Sequence, residues 1–477
     1  MPVSNFPAAA DAVPDIQADG KRRWLALAVL LTGNFVTILD LFIVNVAIPN
    51  LRVDLAASDA QIQLVLVGYS AAYGICLMNG ARLGDLFGRR RIFLVGMALF
   101  TLASALCGVS PESWFLVASR AVEGIGAALL MPQVLASVRL LFQGETRRRA
   151  FGIMGAVQGV AASISQLVGG WLIEHAPVHM GWRMVFLINL PIGLLALWGG
   201  RAVLPTGAQQ SGSRLDLVGA GAGALGLGLV LVPIMLGREY GWPGWALMLP
   251  MAGILVLLAF WQYEKRLLDA GGSPMFDVTL FHQPGFLAGA AAIFLLYSSI
   301  SSFFLSLTLL LQAGLGLAPL AAGLVFTPSA VAFFAGSLAG PRLAMRLDHR
   351  ALLPGVCLFI AGLAVSAWVG AHAPAALGLM VLGLVLNGAG QGVVIPLALN
   401  ALLGQVRDHH AGAASGAIGT LQAVGTSVGV TLVGVIFFSA LDHASGAVGY
   451  GDALAHATVY NLAASALSLL LFAYALR

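Results

Sequence analysis

Apolar stretches of about twenty residues recur along this chain, each closed by a short charged cluster or by Pro and Gly. About twenty apolar residues in a helix cross the hydrocarbon core of a bilayer. The pattern predicts fourteen spans, at 24–48, 61–81, 91–110, 114–136, 150–173, 183–203, 215–236, 245–263, 286–308, 318–339, 351–371, 375–402, 413–439 and 456–476. Membrane barrel strands would instead alternate apolar and polar positions over about ten residues, a period these blocks lack. The expected fold class is an all-α polytopic membrane protein.

Composition agrees with this reading. The 477 residues are 59% hydrophobic and only 9% charged, with a mean hydropathy of +0.92, far from the balance of a soluble domain. The 59 glycines would weaken a soluble helical protein, but in a bilayer small residues let helix backbones approach. The formal charge of +4 sorts by side. With the N-terminus in the cytoplasm, 20 of the 24 Lys and Arg fall on that side; Arg52, Arg183 and Arg238 fall outside, and Arg120 lies within a span. Such an asymmetry fixes orientation, so the expected location is a cell (inner) membrane with both termini cytoplasmic. No basic patch is interleaved with aromatics, which argues against nucleic acid as a partner. Residues 1–23 form a polar tail, and the first apolar block is too long and too charged for a cleaved signal peptide.

Three segments repeat. GARLGDLFGRR (80–90) aligns with GPRLAMRLDHR (340–350), EGIGAALLMP (123–132) with NGAGQGVVIP (387–396), and FGIMGAVQG (151–159) with SGAIGTLQA (415–423). The expected organisation is the tail, a six-helix bundle over 24–205, two inserted helices over 206–270, and a second six-helix bundle over 271–477. Parallel six-helix repeats characterise transporters whose substrate site lies at the midplane between them. The repeats differ in chemistry, for Arg120 aligns with Leu384, Glu123 with Asn387 and Asp85 with Met345.

Among the ionisable residues only Asp40, Arg120 and Glu123 fall deep within spans. A charged side chain there costs about 2.5–3.5 kcal/mol on insertion scales and usually marks a pathway. Asp40 sits eight and Glu123 nine residues from the outer end of their spans, roughly 12–13 Å at 1.5 Å per residue. Arg120 and Glu123, three apart, share a helix face. All three are expected to meet in one layer and to couple protons to transport. Asp40 would be the main carrier, its ionisation set by desolvation against the attraction of Arg120 and altered as water enters from alternate sides. Polar residues that would line the path are Asn34, Asn45, Tyr69, Tyr73, Gln158, Gln166, Asn387, Gln391 and Gln422; hydrogen bonding between helices is the competing role for each.

No phosphate loop, nucleophile motif or metal cluster stands out, so neither enzyme activity nor a cofactor is expected. Cys76, Cys107 and Cys357 lie in spans without ligand spacing and read as packing residues. His175 and His179 flank Pro177 in an outer loop and read as solvated.

LGDLFGRRR after the second span, RAVEGIGAA in the fourth, LVGG late in the fifth, WRMVFLINLPIG entering the sixth and LDLVGA entering the seventh resemble the major facilitator superfamily. LDLFIVNVAIPN and LLLQAGLGLAPLAAGLVFTPSA are similar to its fourteen-span drug:proton antiporters. The resemblance covers nearly the whole chain and implies export of drug-like or toxic small molecules in exchange for protons. It also implies a conformational latch at Asp85, Gly88, Arg89 and Arg90, and close helix packing at Gly124, Gly126, Gly169 and Gly170. The chain departs from the family pattern at Ala81, Leu86 and Glu123, where a Gly, a basic residue and a Gln are usual. It also departs at Ser165 and Gln166, where Gly-Pro is usual, so a proline kink in the fifth helix is not expected. The substrate, protons and the bilayer are the expected partners. An importer or facilitator of a metabolite would share the fold.

Overall fold

The computed structural model describes residues 20–177, 180–205, 216–272, 278–404, 411–441 and 446–476. Residues 1–19, His179, the 206–215 segment with Arg214 and Leu215, Arg407 and Arg477 therefore lie outside the described residues.

The described residues form long helices and no strand. The first six are α1 (Gly20–Asp54), α2 (Asp59–Phe87), α3 (Arg89–Gly108), α4 (Ser113–Leu141), α5 (Gly144–Glu174) and α6 (Asn189–Val203). Two more follow, α7 (Leu217–Glu239) and α8 (Gly244–Asp269). The last six are α9 (Pro284–Leu309), α10 (Pro319–Leu347), α11 (Leu352–His372), α12 (Leu377–Gly404), α13 (Ala411–Leu441) and α14 (Gly446–Ala475). Among the described residues thirteen helices are long and apolar enough to cross a membrane, and the bent α5, taken as one span, brings the total to 14. The expected all-α polytopic fold is thus observed, with most helices reaching beyond the apolar core of their span.

Local sequence sets where the helices start and break. Ser58 and Gln61 form a reciprocal capping box at the start of α2, which satisfies two otherwise orphaned backbone donors. Gly88, at φ +88°, turns α2 into α3 in one residue. Pro191 has no amide hydrogen for the Leu187 carbonyl and its ring crowds that carbonyl, which disfavours continuing the helix through this point. The approach to α6 is accordingly broken into Gly181–Arg183, Met184–Leu187 and the helix proper from Asn189.

Helix α5 is bent by a route other than proline. Its parts 144–162 and 164–174 meet at 40° although proline is absent from the bend. The Ser165 hydroxyl donates to the Ala162 carbonyl, 2.8 Å away; such back-bonding competes with the helical ladder and bends helices.

The first and last six helices pack in matching pairs. Helix α4 packs on α2 and α3, and α12 on α10 and α11; α1 packs on α5 and α9 on α13; α3 packs on α6 and α11 on α14. The correspondence extends to single glycines. A Cβ added at Gly124 would lie 2.3 Å from the Tyr69 carbonyl oxygen, and one at Gly388 2.1 Å from that of Ser329. A Cβ at Gly126 would approach the Phe100 amide nitrogen to 2.7 Å, and one at Gly390 that of Phe359 to 2.4 Å. Overpacking of this kind costs about 1–3 kcal/mol. Gly124→Ala should therefore lower the thermal unfolding temperature measurably, whereas Gly152→Ala, with nothing within 4 Å of the new methyl, should leave it unchanged. Equal unfolding temperatures for the two variants in a thermal melt would show that α2 and α4 do not depend on this approach.

The two sets meet through α5 against α10 and α2 against α13. We name the face bearing the start of α1 the near face and the opposite one the far face. Toward the far face, Gly170 packs on Pro319 and Leu320, Glu174 accepts from the Leu320 amide at 2.8 Å, and Gln312 donates to the Val46 carbonyl at 2.9 Å. Toward the near face of α5, Gly152 and Gly155 face open space. Helix α7 packs on both α2 and α13, with α8 covering it. At the far end of α7, Arg238 donates to Asp59 of α2 at 2.8 Å and to the Phe438 carbonyl of α13 at 2.7 Å. The inserted pair thereby ties the two sets together at the far face.

Candidate functional site

Asp40 on α1, Arg120 and Glu123 on α4, and Asn189 at the start of α6 converge inside the first six helices, each 0–1% exposed. The Arg120 Nη1 donates to Asp40 Oδ2 and, at 2.8 Å, to Glu123 Oε2. Its Nε donates to the Val65 carbonyl at 3.2 Å. The guanidinium lies 4.3 Å from the Tyr69 ring centroid and 5.7 Å from that of Phe186. A cation over an aromatic face gains about 2 kcal/mol when desolvated, so the rings replace part of the hydration Arg120 loses.

The break before α6 aims Asn189 into the cluster. Its Nδ2 donates to Asp40 Oδ1 at 3.1 Å and to Ser104 Oγ at 3.0 Å. Ser104 in turn donates to the Phe186 carbonyl at 3.0 Å, which leaves its oxygen free to accept from the Asn189 amide. Cys107, also buried, donates to Glu123 Oε2 at 3.5 Å. The cluster therefore holds two carboxyls and one permanent cation in an apolar bundle. That composition can take up or release a proton without losing its ion pair.

The other candidate residues separate by exposure. Asn34 is fully buried in α1. Asn45 and Gln166 both donate to the Phe42 carbonyl at 3.1 Å, fastening α1 to α5. Tyr69 lies under Arg120 and donates to the Thr37 carbonyl at 3.1 Å. Asn387 and Gln391 are bonded to one another at 2.5 Å within α12. Tyr73, Gln158 and Gln422 keep partial exposure, and Tyr73 stacks on Tyr69 with ring centroids 6.4 Å apart. Gly169 packs on Ile43 and Val46 of α1.

At the near end of α2, Asp85 pairs with Arg89 at 3.2 Å. Arg89 donates to the Ala136 carbonyl at 3.4 Å and Arg90 to the Arg201 carbonyl at 2.5 Å. Both contacts satisfy carbonyls in or near a last helical turn, where a cation is favoured. Each of these partners belongs to the first six helices.

Sequence reasoning missed Asn189 and Ser104, and it read Cys107 as packing alone. An Asn inside the otherwise apolar VFLINLPIG was the available signal, since its carboxamide needs a partner in hydrocarbon. Also missed were Phe42, Phe304 and Phe326. Phe42 of the first set meets Phe304 of the second with ring centroids 6.1 Å apart, and Phe304 stacks on Phe326 within the second set at 5.3 Å. Among the described residues no group of His, Cys, Asp or Glu has the arrangement of a metal site.

The family model described as Major Facilitator Superfamily matches residues 30–217 and 210–430. A probable actinorhodin transporter of Streptomyces coelicolor is 36% identical over 423 residues, covering 88% of this chain and 73% of that protein. The cephamycin export protein of Amycolatopsis lactamdurans is 34% identical over 93% of this chain and 91% of its own length. The puromycin resistance protein of Streptomyces alboniger is 34% identical over 88% and 83%. Among solved structures, a bacterial homologue of the lysosomal transporter Spinster in an inward-facing conformation superposes with a TM-score of 0.67 at 16% identity, covering 96% of this chain and 98% of that one. The chain is a multi-pass membrane transporter that belongs to the major facilitator superfamily, in its drug-efflux branch.

Proposed function

We propose that the protein exports drug-like or toxic small molecules across the cell membrane in exchange for protons, by alternating access. The observation that carries this reading is the sealed cluster of Asp40, Arg120 and Glu123, which supplies a protonatable site inside a bundle that otherwise has little use for charge. Relatives named for antibiotic transport, export and resistance support the direction and the substrate class.

In this reading bundles 24–205 and 271–477 rock against one another, with the inserted pair over 206–270 at their seam. The near face is cytoplasmic, as the distribution of Lys and Arg favours, so contacts at the far face and open space beside Gly152 and Gly155 correspond to a state open to the cytoplasm. Compounds would enter past Tyr73, Gln158 and Gln422 and stop at the rings of Phe42, Phe304 and Phe326. Asp85, Gly88, Arg89 and Arg90 would form a latch that engages the second bundle when the cytoplasmic side closes.

Expression in a susceptible host should raise tolerance to at least one member of a panel of lipophilic antibiotics that includes puromycin. It should also lower cellular accumulation of that compound until a protonophore is added. Equal accumulation with and without the chain across the panel would remove the export reading. Loss of accumulation that withstands the protonophore would remove the proton coupling.

A further inference from the structure

We infer that in this conformation the exchangeable proton sits on Glu123, while Asp40 stays ionised as the fixed partner of Arg120. The inference rests on the coupling role proposed above for the cluster and divides that role between its two acids.

The hydrogen-bond pattern around the two carboxyls is unequal. Both Asp40 oxygens accept, Oδ2 from Arg120 and Oδ1 from the Asn189 amide. The Asn189 nitrogen also reaches the Ser104 oxygen, and with the Ser104 hydroxyl donating to the Phe186 carbonyl this favours the orientation in which the amide donates to Asp40. A donor on each oxygen describes a carboxylate, which has no oxygen left free to carry a proton. Glu123 has a different environment. Its Oε2 accepts from Arg120 and Cys107, while Oε1 is buried without any hydrogen-bond partner. A buried carboxylate oxygen with no donor is among the most unfavourable arrangements available, and a group so placed neutralises by taking a proton.

Charge balance requires that one of the two carboxyls be neutral. Arg120 brings one positive charge, so two ionised carboxyls would leave the sealed cluster with a net negative charge in an apolar bundle. The groups facing Glu123 supply no second cation. Asp40 comes from α1, Tyr69 from α2, Cys107 from α3 and Arg120 from its own helix, with Ser104 and Asn189 as neutral neighbours. One carboxyl must then be neutral, and the bonding selects Glu123, with the proton on Oε1. In the second repeat Asn387 takes the equivalent place, and it cannot carry a proton at all.

Infrared spectroscopy of the full chain in lipid nanodiscs at neutral pH tests this without any transported compound. A protonated-carboxyl C=O band should be present, should shift to lower frequency when glutamate is labelled with carbon-13 at the side-chain carboxyl, and should not shift when aspartate is so labelled. The band should be lost in Glu123→Gln, which separates Glu123 from the other buried glutamate, Glu264. A band that follows the aspartate label, one that follows the glutamate label but survives Glu123→Gln, or no band at all would overturn the inference. The labelling arm needs no variant, so a folding defect in Glu123→Gln does not remove the test. Because the band reports proton occupancy alone, these outcomes are separate from whether the chain exports anything.

Discussion

Arg120→Ala should abolish gradient-driven efflux and also destabilise the first bundle by about 3–5 kcal/mol, the usual cost of removing one partner from a buried ion pair. It is the largest effect expected from any single substitution here. Arg120 joins four elements, since it bonds Asp40 on α1, the Val65 carbonyl on α2 and Glu123 on α4, and it lies near Phe186 on the approach to α6. Without the guanidinium, two buried carboxyls face each other with no cation, and carboxyls in that situation hold protons rather than charge. The variant would stay loaded at neutral pH and fail to release its proton to the cytoplasm. Uphill transport and thermal unfolding of the purified protein measure the two consequences. Active efflux in Arg120→Ala at the wild-type level would show that the cluster is only a structural cross-link.

Asp40→Asn should give almost as large a transport defect at a much smaller cost in stability. The asparagine keeps the shape and the contact with Asn189, and loses charge-assisted bonds worth about 1.5–3 kcal/mol. Arg120 then has Glu123 as its only acidic partner, which holds that carboxyl ionised and removes its reason to take a proton. The expected result is normal membrane expression, a modestly lower unfolding temperature, no uphill efflux and retained exchange of substrate in the absence of a gradient. Uphill efflux that survives in Asp40→Asn would place the coupling elsewhere.

Much of this was legible in the sequence because hydrocarbon makes polar residues conspicuous. The spans followed from hydropathy, and Asp40, Arg120 and Glu123 drew attention as charges that could not reach an interface. Helical rise then put them at one depth, where the structure places a single shared guanidinium nitrogen. What the sequence did not carry was direction around each helix. Gln166, Asn387 and Gln391 read as polar path residues, yet Gln166 donates to the Phe42 carbonyl of a neighbouring helix, and Asn387 and Gln391 bond to one another along their own helix. Asn189 was hidden for the opposite reason: its role depends on the break that Pro191 imposes, which sets where the side chain points. The bend in α5 was obscured because proline is the familiar cause of kinks, and a serine hydroxyl bonded to the preceding turn leaves no comparable signature.

Glycine was the most informative residue of the packing and the least readable one. Gly124 and Gly388 look alike in the repeat, and both meet a carbonyl of the neighbouring helix almost directly. Gly152 and Gly155 sit in an equally glycine-rich segment and meet nothing within 4 Å. Only the fold distinguishes glycines that admit a backbone from those that border open space.

Substrate-dependent proton flux in proteoliposomes tests the central claim most directly. With purified protein in vesicles carrying a trapped pH indicator, adding a transported member of the antibiotic panel to the side that bears the near face should release protons on that side and draw them from the other. The flux should follow substrate concentration and be absent in Asp40→Asn and Arg120→Ala. Substrate movement with no accompanying proton movement, or protons travelling in the same direction as the compound, would contradict the account.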